Sequence, residues 1–325
     1  MTTYKEINGT NIEAVSSDPA NPVLGQVWYN LTDNVLKGLG YVATASWATG
    51  GALNSARYGL GAAGTSNSLA LAFGGFPNGP TAATELYNGS SWTEVNDLNH
   101  GRGYIPGVGT TTAALTFGGN SSTTALDTRT ETYNGTSWTE VNNLNTGRYN
   151  VAGAGTQTSS LSIGGYTGSG ITNVESWNGT SWTETTDINT ARYGNGGSGA
   201  SNTSALTFGG GPGNIAATEL WNGSSWTEVN DLTTGRRNLG SARITATAAL
   251  AFAGQDPYTT KTETWNGTSW TEDNDMSVAR VSMGGAGTKT SALAAGGYDG
   301  TAAPFNNETE EWTGVGPVVQ TFSDA

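Results

Sequence analysis

The sequence lacks cysteine altogether and contains a single histidine, His100. Disulfide bonds, thiolate nucleophiles, zinc sites built from cysteine and histidine, and most histidine-based acid–base chemistry are therefore removed from consideration. Charged residues are also scarce, at 12% of the 325 positions, and acidic residues outnumber basic ones by 26 to 13. The resulting net charge of −13 opposes contact with phosphate, so we expect neither a nucleic-acid groove nor binding to an anionic membrane.

Long apolar runs are missing as well. No stretch of membrane-spanning length occurs, and no apolar segment typical of a secretory signal follows Met1. Glycine, in contrast, occupies 49 positions, and the chain carries 11 Trp and 12 Tyr. A disordered chain would lack these aromatic residues, and a helical protein would not hold so much glycine. The composition predicts an all-β protein with many tight turns and no membrane insertion.

A repeat of 44 to 46 residues organises most of the chain. Each copy has a Trp, an Arg ten residues later, a Gly-rich stretch, an apolar run ending in a small pair, and a Glu two residues before Tyr or Trp. The marker residues are Trp47, Trp92, Trp138, Trp182, Trp226 and Trp270; Arg57, Arg102, Arg148, Arg192, Arg236 and Arg280; and Glu85, Glu131, Glu175, Glu219, Glu263 and Glu310. A period of this length is typical of the four-stranded blade of a β-propeller.

The third repeat shows how four strands fit into one period. We predict a small-residue strand at residues 148–156, a short apolar strand at residues 161–163, and further strands at residues 174–177 and 182–185. An Asn-Gly pair separates the last two strands and fits a tight hairpin, because such turns need positive φ. The triplet Asn-Gly-Ser/Thr also matches a glycosylation sequon, but turn chemistry is the interpretation we favour.

The two ends of the repeat array complement each other. The sixth repeat reaches Trp312 but lacks the Ser-Trp-Thr-Glu strand that ends the other repeats, whereas residues 45–48 supply such a strand ahead of the first Arg. An N-terminal strand that completes the last blade would leave no unpaired sheet edge. The sequence therefore predicts a six-bladed propeller closed by this strand.

The order of Arg, Gly-rich strand, apolar strand ending in Gly-Gly, Glu-x-Tyr/Trp and Trp-Thr-Glu resembles the kelch repeat over residues 45–314. The resemblance implies a kelch-like propeller, although the short and near-identical hairpins depart from the usual pattern. Because every repeat carries the Arg and the Glu, we interpret them as structural ion pairs rather than as a charged substrate site.

Residues 1–40 lie outside the repeat. A hairpin is predicted there, with a strand at residues 25–30, a turn, and a returning strand at residues 35–38. The segment SSDPANPVLGQVWYN, followed by NVLKG, is similar to the N-terminal segments of tail-fibre and other virion proteins of marine bacteriophages. This resemblance implies a virion protein that is assembled in the host cytoplasm. It would attach to other virion proteins through this segment, with Trp28 and Tyr29 as candidate attachment residues.

The repeats differ most in the loops around and after the Gly-Gly pair. In a propeller these loops share the face opposite to the Asn-Gly hairpins, and unlike loops on a uniform scaffold are typical of a recognition surface. The alternative interpretation is that these loops differ because nothing constrains their sequences. The candidate contacts to a host-surface glycan or protein are Phe76, Asn78, Asp127, Tyr166, Asn214, Asp256, Tyr258, Tyr298 and Asp299.

The predicted organisation is an attachment segment at residues 1–40, a propeller at residues 41–314 and a tail at residues 315–325. The predicted function is that of a non-enzymatic virion structural protein in a tail fibre or other surface appendage, without catalytic residues, metal or cofactor. Two alternatives stay open: a capsid or tail decoration protein that binds only viral partners, and a carbohydrate-active enzyme. The sequence also leaves open whether the chain forms a homo-oligomer.

Overall fold

The computed structural model describes residues 12–20, 22–23, 25–42, 44–255, 257–300 and 305–322. In these residues the chain forms 28 strands and no helix, which confirms the predicted all-β class. Among them there is accordingly no helix with the length and apolar character needed to cross a membrane. The chain divides into two compact units: a smaller unit of Met1–Ala45 with Thr313–Ala325, and a larger unit of Ser46–Trp312.

The smaller unit contains one four-stranded sheet. Strands β2 (Val27–Asn30) and β3 (Val35–Val42) form the hairpin expected from the sequence, and β1 (Glu13–Val15) pairs parallel to β2. The C-terminal strand β28 (Gly316–Phe322) pairs antiparallel to β3 along its whole length. The tail that the sequence left separate is therefore part of the same sheet as the N-terminal segment.

The larger unit is built from four-stranded sheets with one repeated strand order. In five of its sheets the strands are consecutive in the chain and antiparallel, and the sixth joins β25, β26 and β27 to β4 from the start of the unit. The strands are β4 (Ser46–Gly50), β5 (Gly61–Ser66), β6 (Leu69–Phe73), β7 (Thr84–Tyr87), β8 (Trp92–Val95), β9 (Val108–Thr110), β10 (Ala113–Phe117), β11 (Thr130–Tyr133), β12 (Trp138–Val141), β13 (Ala152–Gly155), β14 (Ser160–Ile163), β15 (Val174–Trp177), β16 (Trp182–Thr185), β17 (Gly196–Ser201), β18 (Ser204–Phe208), β19 (Thr218–Trp221), β20 (Trp226–Val229), β21 (Gly240–Thr245), β22 (Ala248–Phe252), β23 (Thr262–Trp265), β24 (Trp270–Asp273), β25 (Gly284–Gly287), β26 (Ser291–Ala295) and β27 (Thr309–Thr313). The repeat that the sequence predicts is thus a propeller-like array of sheets.

The predicted strands of the third repeat agree closely with β13 to β16. The main difference is at the first strand, which begins at Ala152 rather than at Arg148. Asn150 lies in the left-handed region with φ 51°, so the backbone there turns instead of continuing as a strand. The hairpin chemistry is confirmed: Thr180 and Ser181 donate their backbone N–H groups to Asn178 Oδ1 at 2.9 Å, and Gly179 has φ 92°.

Adjacent sheets pack face to face through aromatic residues. Trp182 of β16 contacts Phe117 of β10 in the preceding sheet with 4.7 Å between ring centroids, and Trp270 contacts Phe208 at the same distance. The first strands consist mainly of Gly and Ala because neighbouring backbones approach closely there. A Cβ atom on Gly197 would lie 2.6 Å from the carbonyl oxygen of Gly153, so this position accepts only glycine without rearrangement.

Candidate functional site

Every repeat contains a buried Arg–Glu ion pair. The six Arg side chains have no solvent exposure, and each contacts the Glu on the third strand of its own sheet. The distance is 2.6 Å from Arg192 Nη2 to Glu219 Oε1 and 3.1 Å from Arg236 to Glu263. Burial lowers the pKa of Arg192, whereas the charge of Glu219 raises it. As expected from the sequence, the pairs have a structural role: each is buried and joins the segment before the first strand to the third strand of the same sheet.

The residue two positions after each Arg belongs to a closed circle of backbone hydrogen bonds. Each N–H donates to the carbonyl oxygen of the equivalent residue in another repeat at 2.6 to 3.0 Å, and Gly59 returns the series to Ser282. All six residues have φ between 51° and 66°. The members are Gly59, Tyr104, Asn150, Gly194, Asn238 and Ser282. We call this set the hydrogen-bond circle.

A cavity of about 80 Å³ lies beside the hydrogen-bond circle and is lined by all six of its members. Asn195 also lines it and is only 8% exposed. The Asn195 side chain donates from Nδ2 to Thr207 Oγ1 at 2.7 Å, but its Oδ1 has no hydrogen-bond partner among the described residues. The same holds for Oδ1 of Asn238. Two residues that line the cavity thus carry buried amide oxygens without a hydrogen-bond partner among the described residues.

Nine aromatic rings form a continuous surface that meets this cavity at Tyr104. Neighbouring ring centroids are 4.7 to 6.2 Å apart, and every side chain is half-buried. The members of this aromatic belt are Tyr58, Phe76, Tyr104, Tyr149, Tyr166, Tyr193, Tyr258, Tyr298 and Phe305. Such edge-to-face and tilted contacts hold each ring in a defined orientation.

The tyrosine hydroxyls give the aromatic belt polar groups beside its rings. Burial and the adjacent Tyr58 raise the pKa of Tyr104 above its ordinary value, and burial likewise raises the pKa of Tyr149. Arg237 borders the belt, where it donates to the hydroxyl of Tyr193 at 3.0 Å and to Gln255 Oε1 at 3.2 Å. The surface thus combines apolar rings with phenol hydroxyl groups, and the raised pKa keeps those of Tyr104 and Tyr149 protonated at neutral pH.

Four of the predicted loop residues, Phe76, Tyr166, Tyr258 and Tyr298, come together in the aromatic belt. Of the others, Asn78 is exposed, and Asn214 and Asp299 are half-buried. Asp127 is buried and pairs with Arg129 at 2.9 Å, so its side chain is not presented to a ligand. Asp256 lies outside the described residues.

Sequence reasoning missed the belt residues that precede the first strand of their repeats. Tyr58, Tyr149 and Tyr193 each directly follow a marker Arg, and this recurring Arg-Tyr pair was the available signal. Tyr104 stands one position further on, at a member of the hydrogen-bond circle. The belt therefore draws on two segments of each repeat that are distant in sequence.

Of the two candidate attachment residues, Trp28 is fully buried and Tyr29 is half-buried. The Trp28 indole donates to Asp18 Oδ1 at 3.0 Å, and Asn30 donates to the same oxygen at 2.7 Å. These hydrogen bonds, together with the ion pair to Lys37 at 3.0 Å, lower the pKa of Asp18 to about 2. Trp28 therefore packs within the smaller unit and stabilises its sheet, whereas part of Tyr29 is open to solvent.

A second cavity, of about 200 Å³, is lined mainly by Gly, Ala and other small residues of the first strands, among them Ala62, Val108 and Ala286. No cluster of three or more His, Asp or Glu side chains suited to a metal ion occurs in the part of the chain that the structure describes. No protein-family model matches the sequence, and none of the curated proteins is significantly similar to it.

Proposed function

We propose that Ser46–Trp312 is a six-bladed, kelch-like β-propeller in which β4 is the outer strand of the last blade. Three observations support this architecture. Six sheets share one strand order, and β4 is hydrogen-bonded into the sheet of β25, β26 and β27. The hydrogen-bond circle has one member from each repeat and no end. Trp47 of β4 contacts Phe252 with 5.1 Å between ring centroids, as the outer-strand Trp residues of other repeats do with their preceding sheet.

We further propose that the chain is a non-enzymatic structural protein of a phage particle, displayed on a tail fibre or other appendage. The propeller would recognise the host surface, and the smaller unit would attach it to other virion proteins. The aromatic belt is the observation that supports recognition of the host surface, because it brings four loop residues that differ between repeats into one surface. Attachment is supported by the similarity of residues 1–40 to virion proteins, with Tyr29 as the accessible candidate.

Quantitative peptide mass spectrometry on density-purified particles tests the location. We expect a few copies of the chain for each particle, since an appendage is present in small number. Hundreds of copies would favour the alternative of a capsid decoration protein. Absence from the particles would overturn the proposal.

Host adsorption tests the role of the loop face. Purified chain added to host cells should compete with phage adsorption, and a Tyr149→Ala/Tyr166→Ala variant should compete poorly. Thr180→Ala, at an exposed Asn-Gly hairpin, is the matched control and should compete like the parent chain. Equal competition by all three proteins would contradict recognition through the belt, and cleavage of a host glycan would favour the enzymatic alternative.

A further inference from the structure

We propose that the aromatic belt, together with the adjoining cavity, binds a neutral oligosaccharide. This inference rests on the proposed function, because it names the chemistry of the host-surface ligand. The belt offers a row of half-buried rings rather than one isolated ring, and neighbouring ring centroids lie 4.7 to 6.2 Å apart. A row of fixed aromatic faces suits a ligand of several similar units, each with an apolar side and polar edges.

The residues that line the cavity carry polar atoms that need hydrogen-bond donors. Oδ1 of Asn195 and Oδ1 of Asn238 are buried acceptors without partners among the described residues, and leaving such atoms desolvated is unfavourable. A hydroxyl group is a neutral donor that matches an amide oxygen. The cavity of about 80 Å³ equals roughly two or three water molecules in volume, so it admits a hydroxyl or hydroxymethyl group rather than a whole sugar ring.

The position of Tyr104 links the two parts. The Tyr104 backbone belongs to the hydrogen-bond circle, and Tyr104 also lines the cavity. Its ring centroid lies 5.7 Å from that of Tyr149 in the belt. One ligand can therefore place a terminal group in the cavity while the following units lie across the rings. This arrangement would anchor the chain end and leave the opposite end free to extend.

Electrostatics favour a neutral ligand. The chain has a net charge of −13, which disfavours phosphorylated, sulfated and uronic-acid glycans. Arg237, at the border of the belt, is already engaged by Tyr193 and Gln255. The unused acceptors are amide oxygens without charge, and the belt is longer than a cage for a single ammonium group would need to be.

The test uses the purified full chain on an array of neutral and acidic glycans, followed by titration calorimetry with maltoheptaose, cellopentaose, laminaripentaose and N-acetylchitopentaose. We expect at least one neutral glycan to bind and the acidic glycans not to bind. Binding to acidic glycans alone, or to no glycan, would overturn the inference.

Three variants test whether the neutral glycan occupies the inferred site. Tyr149→Ala/Tyr166→Ala should weaken binding by about tenfold or more, because two ring faces are lost. Asn238→Gly should weaken it by about tenfold through loss of one acceptor, while glycine readily adopts the φ of 53° found there. Thr180→Ala should bind like the parent chain. Unchanged affinity in the first two variants would refute the site.

A folding control separates lost contacts from lost structure. Tyr149→Phe/Tyr166→Phe keeps both ring faces and should retain affinity within about threefold, with an unchanged near-ultraviolet circular dichroism spectrum. Equal loss in the Phe and Ala variants would argue against ring stacking. The two proposals also fail separately. A chain that blocks adsorption but binds no glycan keeps the virion function and loses this inference, whereas a chain that binds neutral glycans but is absent from particles does the reverse.

Discussion

The indole nitrogen of Trp47 donates a hydrogen bond of 2.9 Å to Oγ1 of Thr262, which lies 215 residues later in the chain. The same bond recurs between neighbouring repeats, as from Trp182 to Thr130 and from Trp270 to Thr218, both at 3.0 Å. A residue near the start of the repeat array thus makes a contact that elsewhere joins consecutive sheets. The bond couples the first strand of the larger unit to its fifth repeat.

Replacing Trp47 by alanine should destabilise the larger unit by about 2–3 kcal/mol. The indole packs against Phe252 and against Trp312 at 5.3 Å, but it is half-buried, so the loss falls below the range for a fully buried Trp. Urea unfolding followed by circular dichroism measures the change. Thr180→Ala is the control, and an unaltered midpoint for Trp47→Ala would show that the Trp47 side chain adds no stability.

Thr218→Val should lower the free energy of unfolding of the larger unit by about 1 kcal/mol. It removes the acceptor of the Trp270 indole, but the fourth repeat shows how the loss can be offset. Val174 of the third repeat occupies the equivalent Thr position, and Trp226 of the fourth repeat donates instead to the carbonyl oxygen of Thr186 at 3.1 Å. Denaturant unfolding of the single variant provides the measurement. A cost above 3 kcal/mol would mean that Trp270 finds no such substitute.

Glu175→Gln should destabilise the larger unit by about 3–5 kcal/mol, because it leaves the fully buried guanidinium of Arg148 without its counter-charge. The double variant Arg148→Met/Glu175→Leu should recover most of this loss, since it removes both charges from the interior. Thermal and urea unfolding of the parent chain and the two variants give the differences in stability. If the double variant were less stable than Glu175→Gln, the ion pair would stabilise the folded state by more than the cancellation of two buried charges.

The smaller unit should lose stability in acid. The hydrogen bonds from Trp28 and Asn30 lower the pKa of Asp18 to about 2, against an ordinary value of 3.8. A carboxyl group with a lowered pKa in the folded state stabilises fully above the ordinary value, and this contribution disappears as the pH falls through about 2. Amide hydrogen exchange of β2 measured from pH 5 down to pH 2 should therefore accelerate beyond its intrinsic pH dependence.

Asp18→Asn tests the origin of that acid sensitivity. The variant keeps an oxygen acceptor for Trp28 but has no titrating group, so the excess acceleration in β2 should vanish. Asp33→Asn is a matched control, because Asp33 also pairs with Lys37 yet receives no hydrogen bond from Trp28. Identical acid profiles for the parent and Asp18→Asn would assign the sensitivity to other carboxyl groups.

The sequence predicted the repeated sheets well because their signals are local and occur many times. Trp182, Gly179 and Arg148 each have counterparts at the same spacing in other repeats. The strand, the hairpin and the ion pair could therefore be predicted together. The aromatic belt was predicted only in part, since Tyr58 and Tyr298 are 240 positions apart and no periodic pattern states that their rings meet at 6.2 Å. The burial of Asp127 was missed because its ion pair with Arg129 does not recur in the other repeats.

The hydrogen-bond circle also bears on how the array unfolds and how it could have grown. In an open array of repeats the terminal members can fray, and copies can be gained or lost one at a time with little effect on the rest. A circle has no terminal member: opening any one of its bonds, such as that from Gly59 to Ser282, removes an acceptor on one side and a donor on the other. The larger unit should therefore melt in a single cooperative step, and duplication or deletion of one repeat would have to re-form the whole circle at a new circumference.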